Sequence, residues 1–226
     1  MQVELLYHTP DPERAIATAA RLCYAPVGAS ELMETMPEER VRSVLSTIMG
    51  SGHFSTLEHA SYTFAVDGVS RALTHQLVRH RIASFNQQSQ RYVKFTDGLA
   101  TIKPESVAAD EGASAVFDEA VRAAIEAYER LLAAGILAED ARYLLPNAAE
   151  TKIVITMNVR ELLHFFSLRC CNRAQWEIAT WRTACWIWRS PRRRSCSWTP
   201  ARPACAAPAP RQDDLWPSVA RTVSRG

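Results

Sequence analysis

Two rhythms divide the chain: apolar residues recurring every third and fourth position predict helices, and alternation of apolar with polar residues predicts strands. Residues 2–8 read as a short strand, and Asp11-Pro12-Glu13 opens a helix to about Cys23, with an acidic N-cap and a proline at the first helical position. A second start at Thr35-Met36-Pro37-Glu38 leads into Val41, Val44, Leu45, Ile48 and Met49, spaced i, i+3, i+4, i+7 and i+8, with a stop at Gly50. Residues 53–59 form a polar turn before Ser61–Val66, whose alternation and β-branched or aromatic content predict a strand. From Ser70 to about Arg81, the spacing of Ala72, Leu73, Gln76 and Leu77 predicts a helix whose C-terminal end carries Arg79, His80 and Arg81, cations suited to the helix dipole. A long helix covers 113–134, with Val116, Phe117, Ala120, Val121, Ala124, Tyr128, Leu131 and Leu132 on one face and Gly135 just beyond. A short helix over 139–145 stops at Pro146, and Lys152–Met157 is strand-like. Asn158-x-x-Glu161 is a capping box that opens a helix through Leu162, Leu163, Phe165, Phe166 and Leu168. The predicted class is α+β: a single mixed domain with a central antiparallel-type sheet flanked by helices.

Composition alters that picture at one place. Across 226 residues, 47% hydrophobic and 22% charged positions with a net charge of +2 describe a globular chain able to bury a core without disulfide or metal staples. No apolar run nears the roughly 20 residues that cross a bilayer, which excludes a helical membrane span. Met1-Gln-Val-Glu-Leu-Leu lacks the basic stretch and apolar core of a secretory signal, so a cytoplasmic location is expected, with reduced cysteines and no C-x-x-C pair. Residues 179–226 are unlike the rest: nine Arg, no Lys, no Glu and two Asp give +7 there, leaving −5 for residues 1–178. The same stretch holds six of the twelve Pro, three of the six Cys and five of the six Trp. The organisation is therefore a domain over 1–178 and an atypical Arg/Pro/Trp/Cys-rich tail over 179–226. Three readings of the tail stand: a basic disordered arm that visits nucleic acid, a packed extension, or the product of another reading frame of a GC-rich gene. Pro191, Pro200, Pro203, Pro208 and Pro210 interrupt any helix, which weighs against packing, and Arg192-Arg193-Arg194 has no period that would make a specific reader.

The densest polar segment runs from Arg79 to Phe95, with three Arg, one Lys, one His and no acid. Guanidinium forks match phosphate oxygens, and Ser84, Asn86, Gln87, Gln88 and Ser89 supply neutral donors and acceptors for the edge of a heterocycle. The same composition also fits a solvated helix end followed by a polar turn. Arg142 precedes Pro146, and Arg160 and Arg169 lie near opposite ends of an otherwise apolar helix, where cations need anionic partners from Asp, Glu or a phosphorylated ligand. No G-x-G-x-x-G or G-x-x-x-x-G-K-[ST] occurs, so a nucleotide is held in neither the Rossmann nor the P-loop manner. His53, Glu58 and His59 match no zinc spacing and read as a loop of hydrogen-bonded histidines, so no metal is expected. Cys170 and Cys171 follow Arg169: a cation-activated thiol is one reading, small buried residues at a helix end the other.

The run Arg79-His80-Arg81-x-x-Ser84-x-Asn86-x-x-Ser89-x-Arg91-Tyr92 fills every fixed position of the R-H-R-x-x-S-x-N-x-x-S-x-R-Y signature, so the chain resembles the flavin-dependent thymidylate synthases. The resemblance extends over the His53–His59 loop, Asp140-Ala-Arg142-x-x-Leu-Pro146, Asn158-x-Arg160 and Leu168-Arg169-x-x-x-Arg173-Ala-Gln-Trp-Glu-Ile178, and ceases where the composition breaks. It implies an α+β homotetramer in which FAD and dUMP lie at subunit interfaces. For FAD it implies His53, Ser55, Arg79, His80, Arg81, Gln87, Asn158, Arg160 and His164. For dUMP it implies the runs Gln76, Leu77, Val78, Arg79 and Gln87, Gln88, Ser89, Gln90, Arg91, with Arg142 and Arg169; Arg91 and Arg142 suit its phosphate and pyrimidine. Arg169 takes the catalytic part, because a fixed guanidinium that favours the N3-ionised uracil leaves C5 electron-rich. Ser89 reads as a hydrogen-bonding residue, since no base is identifiable beside it.

The implied reaction is reductive methylation of dUMP to dTMP, with methylenetetrahydrofolate as one-carbon donor, NADPH as reductant and FAD between them. The unrelated thymidylate synthase family uses a cysteine thiolate, for which only Cys170 or Cys171 is well placed. A rival from another class is a nucleic-acid-binding module built on residues 79–94 and the Arg-rich tail, which predicts salt-dependent binding to polymers and no chromophore. The dUMP reading requires neither nucleic acid nor membrane as partner.

Overall fold

The computed structural model describes residues 1–95, 98–169, 174–178 and 180. The tail beyond 180, and Cys170 and Cys171, lie outside the described residues. Among those described, strands β1 (Gln2–His8), β2 (Ser61–Ser70), β3 (Ala83–Gln87) and β4 (Glu150–Asn158) form an antiparallel sheet in the order β1-β2-β4-β3. The helices are α1 (Pro12–Leu22), α2 (Ala29–Thr35), α3 (Glu38–Ser51), α4 (Arg71–Leu77), α5 (Glu105–Ala108), α6 (Glu111–Ala133), α7 (Ala138–Ala141) and α8 (Val159–Arg169). Short 3-10 turns occupy Phe54–His59 and Arg142–Leu144. The α+β class and the antiparallel sheet agree with the sequence. The chain divides into two compact units, one of residues 1–2, 66–79, 85–95 and 98–154, the other of residues 3–65, 80–84 and the described residues from 155 onward.

In the second of these units α1 packs on α2, α3 and the first 3-10 turn, and α8 packs on the same turn. Asp11 caps α1 as its sequence predicts, its carboxylate accepting from the Arg14 amide. Helix α3 buries Val41, Leu45 and Ile48, and ends at Gly52 rather than Gly50, because the chain there turns into the left-handed region at φ 74°, a conformation that costs glycine little. Tyr62, Phe64, Ile155, Met157, Val159, Leu162 and Phe165 complete the apolar core of this unit.

In the first unit the signature helix α4 is short and anchored. Ser70 caps it, its buried hydroxyl accepting from the Leu73 amide at 3.0 Å, and Leu73 and Leu77 are fully buried. The predicted helix to Arg81 is corrected: α4 stops at Leu77, and Val78 donates to the Thr74 carbonyl as C-cap. Arg79 donates to the Gln76 carbonyl at 3.2 Å, a tightened last turn that releases Arg79, His80 and Arg81 from the helix. Helix α6 forms where its periodicity places it, capped by Asp110, and it packs on α5, α7 and the second 3-10 turn. Of its predicted apolar face only Tyr128 is buried, and Val116 is 67% exposed. No described helix is long and apolar enough to cross a membrane.

Candidate active site

The signature contributes to both units, and each holds its own polar cluster. In the first unit Arg71 occupies the first position of α4, a place where a cation opposes the helix dipole. Its guanidinium is half-buried, reaching the Gln88 carbonyl at 3.5 Å, and its pKa is driven down by burial and by the charge of Arg142. Two guanidinium groups that repel one another with no carboxylate on Arg71 among the described ion pairs form a site of positive potential, suited to an anion. Arg91 meets Glu139 through Nε at 2.9 Å and Nη2 at 2.7 Å, while Arg142 Nε donates to the Glu139 carbonyl at 2.9 Å. Glu139 thus organises two of the predicted dUMP arginines. Both partners of the Arg91 pair are half exposed, so the pair contributes little stability, about 0–1 kcal/mol, and can yield to a better anion.

Beside them, Gln87 Nε2 donates to the hydroxyls of Thr74 and Thr151 at 3.2 Å each, which fixes its amide. The Gln88 amide bonds to the Lys152 carbonyl and continues the β3–β4 pairing. Ser89 Oγ accepts from the Arg91 amide at 3.2 Å, the geometry of a turn, and Gln90 is buried. Gln76 and Leu77 lie in α4; Leu77 faces the core, so any ligand contact it makes comes through its backbone. Val78 and Arg79 are exposed just beyond.

The second unit gathers His80, Glu161, His164 and Arg169. His80 and Glu161 are both buried and lie 2.8 Å apart, Nδ1 to Oε1. Arg169 Nε donates to His80 Nε2 at 2.9 Å. A guanidinium only donates, so Nε2 carries its lone pair and the ring proton sits on Nδ1, donated to Glu161. Burial pushes the His80 pKa down; the Glu161 hydrogen bond and charge oppose this, Arg169 and His164 reinforce it, and the net shift is downward. Burial also lowers the pKa of Arg169. Of the two α8 cations, Arg160 pairs with Glu58 of the 3-10 turn at 2.6 Å, and Arg169 counts a neutral imidazole among its contacts.

Asn158 Oδ1 accepts from the Glu161 amide at 2.9 Å, one arm of the predicted capping box. Among the described residues the Glu161 carboxylate turns to His80 and makes no bond to the Asn158 amide. His53, Ser55 and Arg81 are exposed, and the His53 carbonyl accepts from the Thr56 hydroxyl. His164 is exposed, with its ring 5.7 Å from that of His80. Among the described residues, His80, Glu161 and His164 bring ligand-type atoms within 4.8 Å of one another. Both His80 nitrogens are already bonded, one to a cationic donor, which is the wrong electrostatics for a metal ion.

A stability test follows from His80. Its folded pKa lies below the ordinary value near 6.5, so the unfolded chain takes up the proton more readily. The contribution is therefore complete above about pH 6.5 and is lost as pH falls through the folded pKa. Thermal unfolding followed from about pH 7.5 to pH 5 should show a falling midpoint in the wild type and a smaller fall in His80→Gln; equal slopes would contradict the assignment.

The family model described as thymidylate synthase complementing protein matches residues 4–188. The chain belongs to the flavin-dependent thymidylate synthase family. A protein of that name from Geobacter sulfurreducens is 60% identical over 179 residues, covering 79% of this chain and 77% of the relative. The Pyrococcus abyssi protein of the same name is 45% identical over 181 residues, 79% of this chain and 74% of its own. Among solved structures, the UMP/dUMP methylase PolB of Streptomyces cacaoi, bound with 5-Br dUMP, superposes with a TM-score of 0.70 at 28% identity, covering 82% of this chain and 90% of that one. The chain is thus an enzyme of the thymidylate synthase kind. The residues that sequence reasoning passed over are Arg71, Glu139 and the His80-bonding role of Glu161. Only Arg71 carried a local signal, a cation directly after the N-cap of a helix with no acid in its first turn.

Proposed function

We propose that this chain converts dUMP to dTMP by reductive methylation, taking the one-carbon unit from methylenetetrahydrofolate and reducing equivalents from NADPH, as a cytoplasmic homotetramer with shared sites. The observation that carries this reading is the pair of signature arginines presented without acids: among the described residues no carboxylate pairs with Arg79 or Arg81, both exposed at the turn after α4. That donor set fits the phosphates of FAD, with His53, Ser55, Gln87, Asn158, Arg160 and His164 available to its remaining polar edges, whereas the ring of His80, buried with both nitrogens bonded, offers it no free polar atom. FAD, when bound, supplies the hydride chemistry that no side chain can supply. Arg71, Arg91 and Arg142 hold the dUMP phosphate, with Arg91 exchanging Glu139 for the ligand. Gln87 presents an amide already fixed by two hydroxyls, and Ser89 holds the turn beside the buried Gln90. Arg169 stabilises the N3-ionised uracil, making C5 electron-rich for attack on the one-carbon unit. Residues 179–226 stand outside this chemistry.

A protein route through a cysteine thiolate is separable by experiment. The double variant Cys170→Ala/Cys171→Ala should form dTMP at a rate within about threefold of wild type, since the flavin reading asks for no covalent thiolate. Loss of dTMP formation with flavin and dUMP binding intact would overturn the reading.

A further inference from the structure

We infer that Glu161 is a positioning residue of this enzyme, holding the Arg169 guanidinium in place through His80. The inference rests on the proposed part of Arg169 in dUMP activation. It starts from the one-way sense of the hydrogen-bond chain: Arg169 Nε–H to His80 Nε2, then His80 Nδ1–H to Glu161 Oε1, at 2.9 and 2.8 Å. The buried carboxylate holds the ring proton on Nδ1. Without it, the proton can move to Nε2, where it faces the Nε–H of Arg169, donor against donor.

The helix makes this a rigid frame. Glu161 lies in the first turn of α8 and Arg169 in its last, eight residues and roughly 12 Å of rise apart. The His80 ring packs edge-on to Phe165 between them, with centroids 5.0 Å apart, so one imidazole bridges both ends of one helix. Asn158 secures the Glu161 turn through its amide. The contact uses Arg169 Nε–H, and the forked terminal NH2 groups are the part of a guanidinium that matches an enolate-like oxygen. Residues one step removed from a functional group commonly control its activity by about 10- to 100-fold through orientation alone.

The test compares Glu161→Gln with Glu161→Leu in the full chain loaded with FAD. The amide oxygen of Gln can still accept from Nδ1–H, so Glu161→Gln should keep kcat for dTMP within about fivefold, whereas Glu161→Leu should lose about 10- to 100-fold in kcat with KM for dUMP changed less than about threefold. Flavin absorbance per protomer should be the same in both. Nitrogen-15 spectra of histidine-labelled wild type, assigned with His80→Gln, should show His80 neutral with its proton on Nδ1, and this readout is independent of dTMP formation. Equal kcat in Glu161→Leu and wild type, equal losses in Gln and Leu, or an Nε2 proton on His80 would each overturn the inference. Should Glu161→Leu fail to fold, the tautomer decides it either way. A wild type that makes no dTMP yet carries the Nδ1 proton refutes the proposed function and not the hydrogen-bond chain.

Discussion

Arg169→Ala should abolish most dTMP formation, a fall of about 100- to 1,000-fold in kcat, the cost of removing one fixed donor from a developing oxyanion. The expectation follows from where the side chain is held. Its Nε–H is tied to His80, and burial has already lowered its pKa, so the charge is partly stripped of water and acts strongly on whatever anion approaches. Arg169→Lys separates charge from geometry. Lysine restores a cation without the planar fork or the Nε–H bond to His80, so it should recover only a minor part of the rate. Flavin content should be preserved in Arg169→Lys, as steady-state kinetics alongside absorbance would show. Wild-type kcat in Arg169→Ala would remove Arg169 from the chemistry.

Arg71→Ala should raise the KM for dUMP by about 10- to 100-fold, the range expected for losing a hydrogen bond to a charged group. In the absence of nucleotide the same substitution relieves repulsion between Arg71 and Arg142, so the thermal midpoint of the nucleotide-free protein should stay level or rise. Ligand-induced stabilisation, which scales with the logarithm of nucleotide over Kd, should shrink in parallel. A merely structural arginine would give the opposite pattern, a lower midpoint without nucleotide and unchanged KM. Thermal shift titrations with dUMP read both quantities in one experiment.

Much of this was legible in the sequence where the signal was local. α1 and α6 announce themselves by caps and period, and β4 by its run of branched residues. α2 was not, because Ala29–Thr35 buries only Leu32 and offers no stripe. β3 was hidden for another reason: Ala-Ser-Phe-Asn-Gln has no β-branched residue, and what makes it a strand is pairing with β4, more than 60 residues away. Periodicity groups the apolar residues of α6 on one face yet cannot say how deeply they are covered: Tyr128 is buried, Phe117, Val121, Ala124, Leu131 and Leu132 are half-buried, and Val116 and Ala120 are exposed.

The site was legible as a list of residues and not as an arrangement. The signature named Arg79, His80, Arg81 and Arg91 outright, but Glu161, 81 positions from His80, was visible only as a helix cap. Arg160 and Arg169 are legible as cations in need of partners; Arg160 meets a carboxylate, and one contact of Arg169 is a neutral imidazole. The latter has no sequence signal, because a histidine's tautomer is set by neighbours that only folding supplies.

A flavin held at Arg79 and Arg81 is the central claim, and the visible spectrum of the purified full chain, with and without added FAD and dUMP, tests it most directly. The prediction is a yellow protein whose flavin bands shift when dUMP is added. A correctly assembled protein that stays colourless after incubation with FAD, and does not respond to dUMP, would contradict it.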